Sequence, residues 1–265
     1  MDTVHQAFLH SGHVKPEHTT PDTLDYWIAK TPAPLFSVIE TDFGTSYGAW
    51  RPAGEDTYYW RIAHMLFPFY AQIPTGAIGY EVRFAAYVPM DDEHTMHWEI
   101  GARVNNAEER PAWAGRGGRP TGPESRARRE KELYHPNTTD WFGRFNMKQC
   151  WDNDYLIDRQ AQREMKIWTG IEGIRQQDMA VTESMGAIYD RSSEHLGTTD
   201  ALIIRTRRKL IQTAKALQEH GITPPGVDQP EVYRQRSGGV VLPRGVDWWD
   251  GTAELRARWS AEAVR

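Results

Sequence analysis

The chain has 265 residues, with no apolar run long enough to cross a membrane and no signal-peptide pattern, so we expect one large domain or two small ones in the cytoplasm. Its formal net charge of −5 argues against a general surface for nucleic acids or anionic membranes. Cys150 is its single cysteine, which excludes an internal disulfide, a cysteine-rich zinc site and an iron–sulfur cluster held by this chain alone.

The first feature along the chain is the pattern D-x-x-H-x-x-x-x-H, formed by Asp2, His5 and His10. Two imidazoles and a carboxylate suit a non-haem ferrous site, because they occupy one face of the metal and leave the other open to dioxygen. Five residues turn an ideal α-helix by about 140°, so the two histidines can share a metal only where the helix widens into a π-bulge or breaks. The pair His10 and His13 is an alternative, as are ordinary surface or core histidines.

Residues 35–101 are predicted to form an antiparallel sheet. Residues 57–67 are rich in aromatic and branched side chains, which indicates a strand with both faces at least partly buried. Residues 80–88 alternate in polarity and residues 94–100 continue this pattern, while short turns such as that at 74–76 connect the strands.

The second half of the chain is predicted to be mainly helical. A stretch from about 105 to 131, rich in Gly, Pro, Arg and Glu, is predicted to be a mobile loop or lid. Helices are expected at 171–185 and from Thr198 or Thr199 to about Glu219. Gly221 ends the second helix, whose apolar stripe contains Ile203, Leu210, Ile211, Ala214 and Leu217. The segment from about 229 to 265 is predicted to pack as an extended arm.

Several longer runs carry a family resemblance. DNDYLIDRQAQR at 152–163 and WTGIEGIRQQDMAVTESMGAIYDRSSEHLGTTDALI at 168–203 resemble the C-terminal half of the large subunit of Rieske non-haem iron aromatic ring-hydroxylating oxygenases, in their phthalate dioxygenase-like branch. The resemblance extends through MDTVHQAFLHSG at the start, FGTSYGAWRP at 43–52, YYWRIAHMLFPFY at 58–70 and YVPMDDEHTMHW at 87–98. These runs occur in the family's order and cover most of the chain.

The resemblance implies roles for individual residues. His5 and His10 are similar in place to the histidines that ligate the mononuclear Fe(II). Asp178 matches the carboxylate ligand, and Glu183 is its nearest competitor. Asp2 resembles the catalytic residue through which electrons arrive from the cluster of a neighbouring subunit.

The fold implied by the resemblance is α+β, of the helix-grip or START-like type, with a curved antiparallel sheet packed around helices. Residues 1–265 would then form one catalytic mononuclear iron domain. Members of the family also carry an N-terminal Rieske domain with C-x-H and C-x-x-H segments, which is absent from this chain. We therefore expect a fragment, or a sequence that begins at an internal Met of a longer protein.

The function implied by the resemblance is hydroxylation of an aromatic substrate with dioxygen. Electrons would come from NAD(P)H through a ferredoxin or flavin reductase and a [2Fe–2S] Rieske cluster, which the full-length protein or a partner would hold. The family further suggests a homo-oligomer such as a trimer.

Arg61 is the main candidate for substrate binding, with Arg51 in reserve. Arg61 shares a strand face with apolar side chains, and a buried guanidinium needs an anionic partner. One interpretation is an internal salt bridge to Glu81 or Glu99. The other, suggested by the phthalate-like resemblance, is a bidentate pair with an aromatic carboxylate.

Two other functions remain open at this point. A helix-grip fold can serve as a non-catalytic module that binds apolar ligands, and His5 and His10 could instead hold the zinc of a hydrolase. Bound iron would favour the oxygenase, zinc the hydrolase, and no metal the ligand-binding module.

Overall fold

In the computed structural model, the described residues are His5, Leu9, 15–103, 111–114 and 133–257. They divide into two compact units. Unit 1 contains the described residues of Lys15–Gly115 and Ser193–Arg265, and unit 2 those of His5–Val14 and Arg116–Ser192. The predictions for Asp2, His10 and His13 lie outside the described residues, as does the predicted loop at 105–131 apart from 111–114.

The described part of the chain contains seven strands and six α-helices. The strands are β1 (Leu35–Thr41), β2 (Gly44–Pro52), β3 (Thr57–Leu66), β4 (Tyr70–Gln72), β5 (Glu81–Pro89), β6 (Thr95–Arg103) and β7 (Gly238–Pro243). The helices are α1 (Leu24–Lys30), α2 (Arg159–Arg163), α3 (Ile174–Glu183), α4 (Ala201–His220), α5 (Pro225–Asp228) and α6 (Ala253–Ala257). All the strands and helices α1, α4, α5 and α6 belong to unit 1, whereas α2 and α3 belong to unit 2.

The seven strands form one antiparallel sheet in the order β1 to β6, and β7 joins it beside β3. One edge of β3 pairs with β2 along its length, and the other pairs with β7 and then with β4. The long hairpin β5–β6 lies at one edge of the sheet. An antiparallel sheet with helices confirms the predicted α+β helix-grip fold class.

Both faces of the sheet are buried around β2 and β3, as the aromatic pattern of 57–67 predicts. On one face, Trp60 and Ile62 pack with Trp248 from the C-terminal segment. On the other face, Ala63 packs with Tyr47 of β2 and with Leu202 of α4, which are members of a second cluster. Strand β3 therefore forms the centre of unit 1, with a core on each side.

Helix α4 begins and ends close to the predicted positions, and Gly221 ends it in a left-handed conformation with a φ of 66°. Its buried side differs from the predicted apolar stripe. Leu202 is buried against the sheet, and the hydroxyl of Thr206 lies 2.6 Å from that of Thr45 on β2. Ile211 and Leu217 of the stripe are 57% and 49% exposed, because the helix docks partly through polar contacts. Ile211 and Leu217 therefore do not lie on the face that contacts the sheet.

The C-terminal segment, predicted to be an extended arm, is extended only in part. Part of it is extended as β7, and the residues after β7 place the buried Trp248 in the core and end in α6. Within the described residues, no helix is both long enough and apolar enough to cross a membrane.

Candidate functional site

Unit 2 contains a cavity of about 840 Å³, a size typical of small-molecule sites. Its walls are mainly apolar and include two indole rings. The larger apolar side chains that line it are Leu9, Trp151, Ile157, Met165, Trp168, Ile171 and Val181. Such a lining suits a flat apolar ligand, because aromatic and aliphatic surfaces gain free energy when they are removed from water together.

Helix α3 forms one wall of this cavity and is fixed at its start by a buried glutamine. The Gln177 Nε2 donates to the carbonyl of Ile171 at 2.9 Å and to the hydroxyl of Thr169 at 3.2 Å. Gln177, Ala180 and Val181 then face the cavity, as residues three and four apart share a helical face. Since Asp178 follows Gln177, the start of α3 also fixes the position of the predicted carboxylate ligand.

The lining also contains a strained turn. Asp154, Tyr155 and Leu156 all adopt left-handed conformations, with φ values of 51°, 53° and 52°. A side chain in this conformation costs about 1–2 kcal/mol per residue, and such strain is concentrated at functional sites. The turn leaves Tyr155 buried in the cavity wall, where it packs in a cluster with Ile171 and Ala180.

Two of the three predicted iron ligands lie in unit 2. His5 is helical and half-buried, and Asp178 is an exposed residue of α3. Leu9, four residues after His5, lies in a π-helical turn and lines the same cavity as Gln177.

The third predicted ligand, His10, lies outside the described residues, as does Asp2. Within the described residues, no three His, Cys, Asp or Glu side chains form a group that could hold a metal. The competitor Glu183 is exposed at the end of α3. The imidazole of His5 and the carboxylate of Asp178 suit ferrous iron in their donor chemistry, and both belong to the unit that contains the cavity.

Arg51 and Arg61 lie in unit 1, on one face of the sheet. Strand register pairs Arg51 with Tyr59, two residues before Arg61, so all three side chains share that face. Arg51 is 1% exposed, and its Nε donates to the carbonyl of Thr31 at 2.6 Å. Burial, followed by the positive charge of Arg61, lowers the pKa of Arg51 to about 10.

The predicted salt bridge of Arg61 is wrong. Its Nη2 donates to the carbonyl of Pro74 at 3.0 Å, and neither Glu81 nor Glu99 pairs with it. Among the described residues, the Nε of Arg61 and the Nη1 of Arg51 are buried without a hydrogen-bond partner. The Pro74 carbonyl is within reach of the Arg61 guanidinium but accepts from only one of its donors, so the Nε of Arg61 has no partner among the described residues.

Sequence reasoning did not single out the residues that line the cavity. Trp151, Tyr155 and Trp168 lie in or beside the runs that carry the family resemblance, but no ligand chemistry marked them individually. The density of aromatic residues within those runs was the available signal.

The sheet and helices of unit 1, together with the aromatic-lined cavity of unit 2, define an α+β protein of the helix-grip type with a small-molecule site. The chain belongs to the family described as "LigXa C-terminal domain like", which matches residues 1–264.

Two curated relatives are oxygenase subunits. The chain is 40% identical over 253 residues to the 3-chlorobenzoate-3,4-dioxygenase oxygenase subunit of Comamonas testosteroni, which covers 94% of this chain and 56% of the relative. It is 27% identical over 259 residues to the phthalate 4,5-dioxygenase oxygenase subunit of Pseudomonas putida, covering 94% of this chain and 54% of the relative. The chain thus spans about half the length of these relatives, and the predicted resemblance is confirmed.

Proposed function

We propose that this chain is the catalytic domain of an aromatic ring-hydroxylating oxygenase. The observation that carries the proposal is the cavity of unit 2, lined by Trp151 and Trp168 and bordered by α3, the helix that bears Asp178. Leu9 brings the N-terminal segment of His5 to the same cavity. The similarity to two dioxygenase oxygenase subunits supports the same reaction class.

His5, His10 and Asp178 would hold one ferrous ion. When bound, the iron supplies the dioxygen activation that ring hydroxylation requires. The contribution of the chain is to place the aromatic ring against apolar side chains. The fixed start of α3 keeps Asp178 at one position relative to the cavity.

Electrons would reach the site from outside this chain. A [2Fe–2S] Rieske cluster in a further domain or a partner would supply them, with NAD(P)H as the source through a ferredoxin or flavin reductase. Asp2, three residues before His5, would accept a hydrogen bond from that imidazole and act as the catalytic link to the cluster of a neighbouring subunit. This arrangement requires a homo-oligomer, such as a trimer, and we propose that it works in the cytoplasm.

The substrate of this proposal is an aromatic carboxylate. The Arg51 Nη1, the Arg61 Nε and the Trp27 Nε1 are among the N–H donors of unit 1 that are buried without an acceptor in the described part of the chain. Trp27 packs on Tyr59 with ring centroids 5.1 Å apart, and Tyr59 pairs with Arg51 across the sheet. Buried donors of this kind favour an anionic acceptor, since unpaired guanidinium groups are costly.

The metal content of the purified full chain tests the proposal directly. After incubation with Fe(II) and Zn(II) in separate anaerobic samples and removal of excess metal, we expect about one iron per chain and benzoate binding to the iron-loaded form. Zinc retained in preference to iron would instead indicate a hydrolase. A chain that keeps neither metal but still binds benzoate would be a ligand-binding module.

A further inference from the structure

Two arginines share one face of the sheet in unit 1 without a carboxylate partner among the described residues. The Arg51 Nε donates to the carbonyl of Thr31 at 2.6 Å, and the Arg61 Nη2 donates to the carbonyl of Pro74 at 3.0 Å. Both acceptors are neutral backbone groups, so they orient the guanidinium groups but do not balance their charges. The Arg51 Nη1 and the Arg61 Nε remain buried without an acceptor in the described part of the chain.

The two guanidinium groups lie close enough to repel each other. Arg61 pairs with Ala49 across the β2–β3 pair, and Arg51 is two residues further along β2, so the three side chains share one face. Burial lowers the pKa of Arg51 to about 10, and the positive charge of Arg61 acts in the same direction. Both groups are therefore charged at neutral pH, in a place where little water screens one charge from the other.

The neighbouring side chains that the structure describes do not supply a counter-ion. Burial raises the pKa of Tyr47, against the opposing effect of the arginines, so its phenol is neutral at physiological pH. Trp27 packs on Tyr59, the residue opposite Arg51, and its Nε1 is a further buried donor without an acceptor among the described residues. This face therefore combines positive charge with N–H donors and lacks an acceptor of negative charge.

We propose that Arg51 and Arg61 together bind a small monovalent anion, chloride, at this face of unit 1. A water molecule could accept from the unpartnered donors but would leave two positive charges unbalanced, whereas an anion meets both needs. A compact ion suits the place, because Arg51 and Ala49 are each 1% exposed and the side chain of Ala49 is only a methyl group. The inference rests on the proposed function in one respect: chloride and the carboxylate of the aromatic substrate would compete for the same donors.

The dependence of stability on chloride tests this site in the full chain. Urea unfolding is measured as chloride replaces methanesulfonate, a bulkier anion, at constant ionic strength and in a buffer without carboxylates. At a chloride concentration about ten times its dissociation constant, the folding equilibrium constant of the parent should rise about 10-fold. At the same concentration the gain in Arg61→Met should be less than about 2-fold, because one of the two guanidinium groups is absent.

Arg61→Lys and Arg83→Met are the controls. Lysine keeps the positive charge, so Arg61→Lys should retain part of the chloride gain and show that β3 tolerates a substitution at this position. Arg83 is exposed on β5, and Arg83→Met should retain the whole gain. Bromide soaked into crystals of the parent gives a readout that needs no variant, since its anomalous scattering should place one ion between the guanidinium groups of Arg51 and Arg61.

The possible failures are distinguishable. The anion site is overturned if the parent gains nothing from chloride, if Arg61→Met gains as much as the parent, or if bromide is absent from the arginine pair. Benzoate binding that weakens in Arg61→Met would still support the proposed function in that case. We expect benzoate affinity to fall as chloride rises. If it does not fall while the chloride gain depends on Arg61, the anion site stands, and the placement of the substrate carboxylate at these arginines is contradicted.

Discussion

Ser46 Oγ and His64 Nδ1 lie 2.7 Å apart across the β2–β3 pair, and both side chains are buried. The other ring nitrogen of His64, Nε2, lies 3.1 Å from the carbonyl of Arg236. A carbonyl can only accept, so Nε2 carries the proton and Nδ1 accepts from Ser46. Burial, the largest cause, lowers the pKa of His64 to about 4, and the nearby charge of Arg256 acts in the same direction.

This relationship predicts that the folded protein loses stability in mild acid. As pH falls below about 6.5, His64 takes up a proton in the unfolded chain, whereas the folded protein resists protonation until about pH 4. The stabilisation that comes from keeping His64 neutral is fully present above about pH 6.5. About 3 kcal/mol of it is lost by pH 4. Urea unfolding at intervals from pH 7 to 4.5 measures the loss.

His64→Gln is the control for this pH dependence. The variant is less stable throughout, since it disturbs the contacts to Ser46 and Arg236, but it has no imidazole to titrate. Its free energy of unfolding should therefore change less steeply than that of the parent across this range. Equal slopes in parent and variant would show that His64 does not cause the acid sensitivity.

The proposed ligand set predicts which substitutions remove iron. His5→Ala and Asp178→Asn should each weaken iron binding by more than about 100-fold, because changes outside the ligand shell alone cost about 10- to 100-fold. Glu183→Gln is the matched control on the same helix and should retain the metal. Anaerobic metal analysis after dialysis gives the readout. If Glu183→Gln lost iron while Asp178→Asn retained it, Glu183 would be the carboxylate ligand and Asp178 would not.

Asp2 is predicted to act beside the metal and not to ligate it. Asp2→Asn keeps a side-chain oxygen, so we expect iron content to be unchanged while hydroxylation coupled to NAD(P)H oxidation stops in a reconstituted system that includes a Rieske cluster. Metal analysis and product yield per NAD(P)H consumed test the two halves separately. Loss of iron from Asp2→Asn would make Asp2 a ligand.

Arg61→Met should weaken benzoate binding by about 10- to 100-fold with iron content unchanged, as expected for a lost charge-assisted pair. Methionine keeps much of the side-chain volume, so the packing on β3 is largely maintained. Arg83→Met, at an exposed position of β5, is the control and should bind benzoate like the parent. Parent-like affinity in Arg61→Met would assign Arg61 a structural role through the Pro74 carbonyl.

Gly48 on β2 is predicted to be intolerant of a side chain. A Cβ at this position would lie 2.7 Å from the indole of Trp248, a member of the core that covers the sheet. Gly48→Ala should lower the free energy of unfolding by about 1–3 kcal/mol, the usual range for overpacking. Gly101→Ala on β6 is the control, because its nearest atom would be at an ordinary 3.6 Å. Denaturant unfolding of both variants measures the difference, and equal stability would mean that Trp248 can shift.

Local sequence patterns determined much of the secondary structure and the family. Alternation and aromatic content predicted β3, β5 and β6 within a few residues, since each strand carries its own period of two. Gly221 fixed the end of α4 in the same local way. The His and Asp motifs, together with the longer runs, indicated the family. None of these inferences required knowledge of distant contacts.

Only the tertiary structure decided which surfaces meet. The buried face of α4, the acceptor of Arg61 and the packing of Trp248 in the core all depend on partners far away in sequence. The cavity depends in addition on the left-handed turn at 154–156, which places the Tyr155 side chain in its wall. Periodicity shows that one side of an element is apolar, but it does not specify what covers that side. Long-range pairing is set by the combined packing of many elements, which is why it could not be predicted from local patterns.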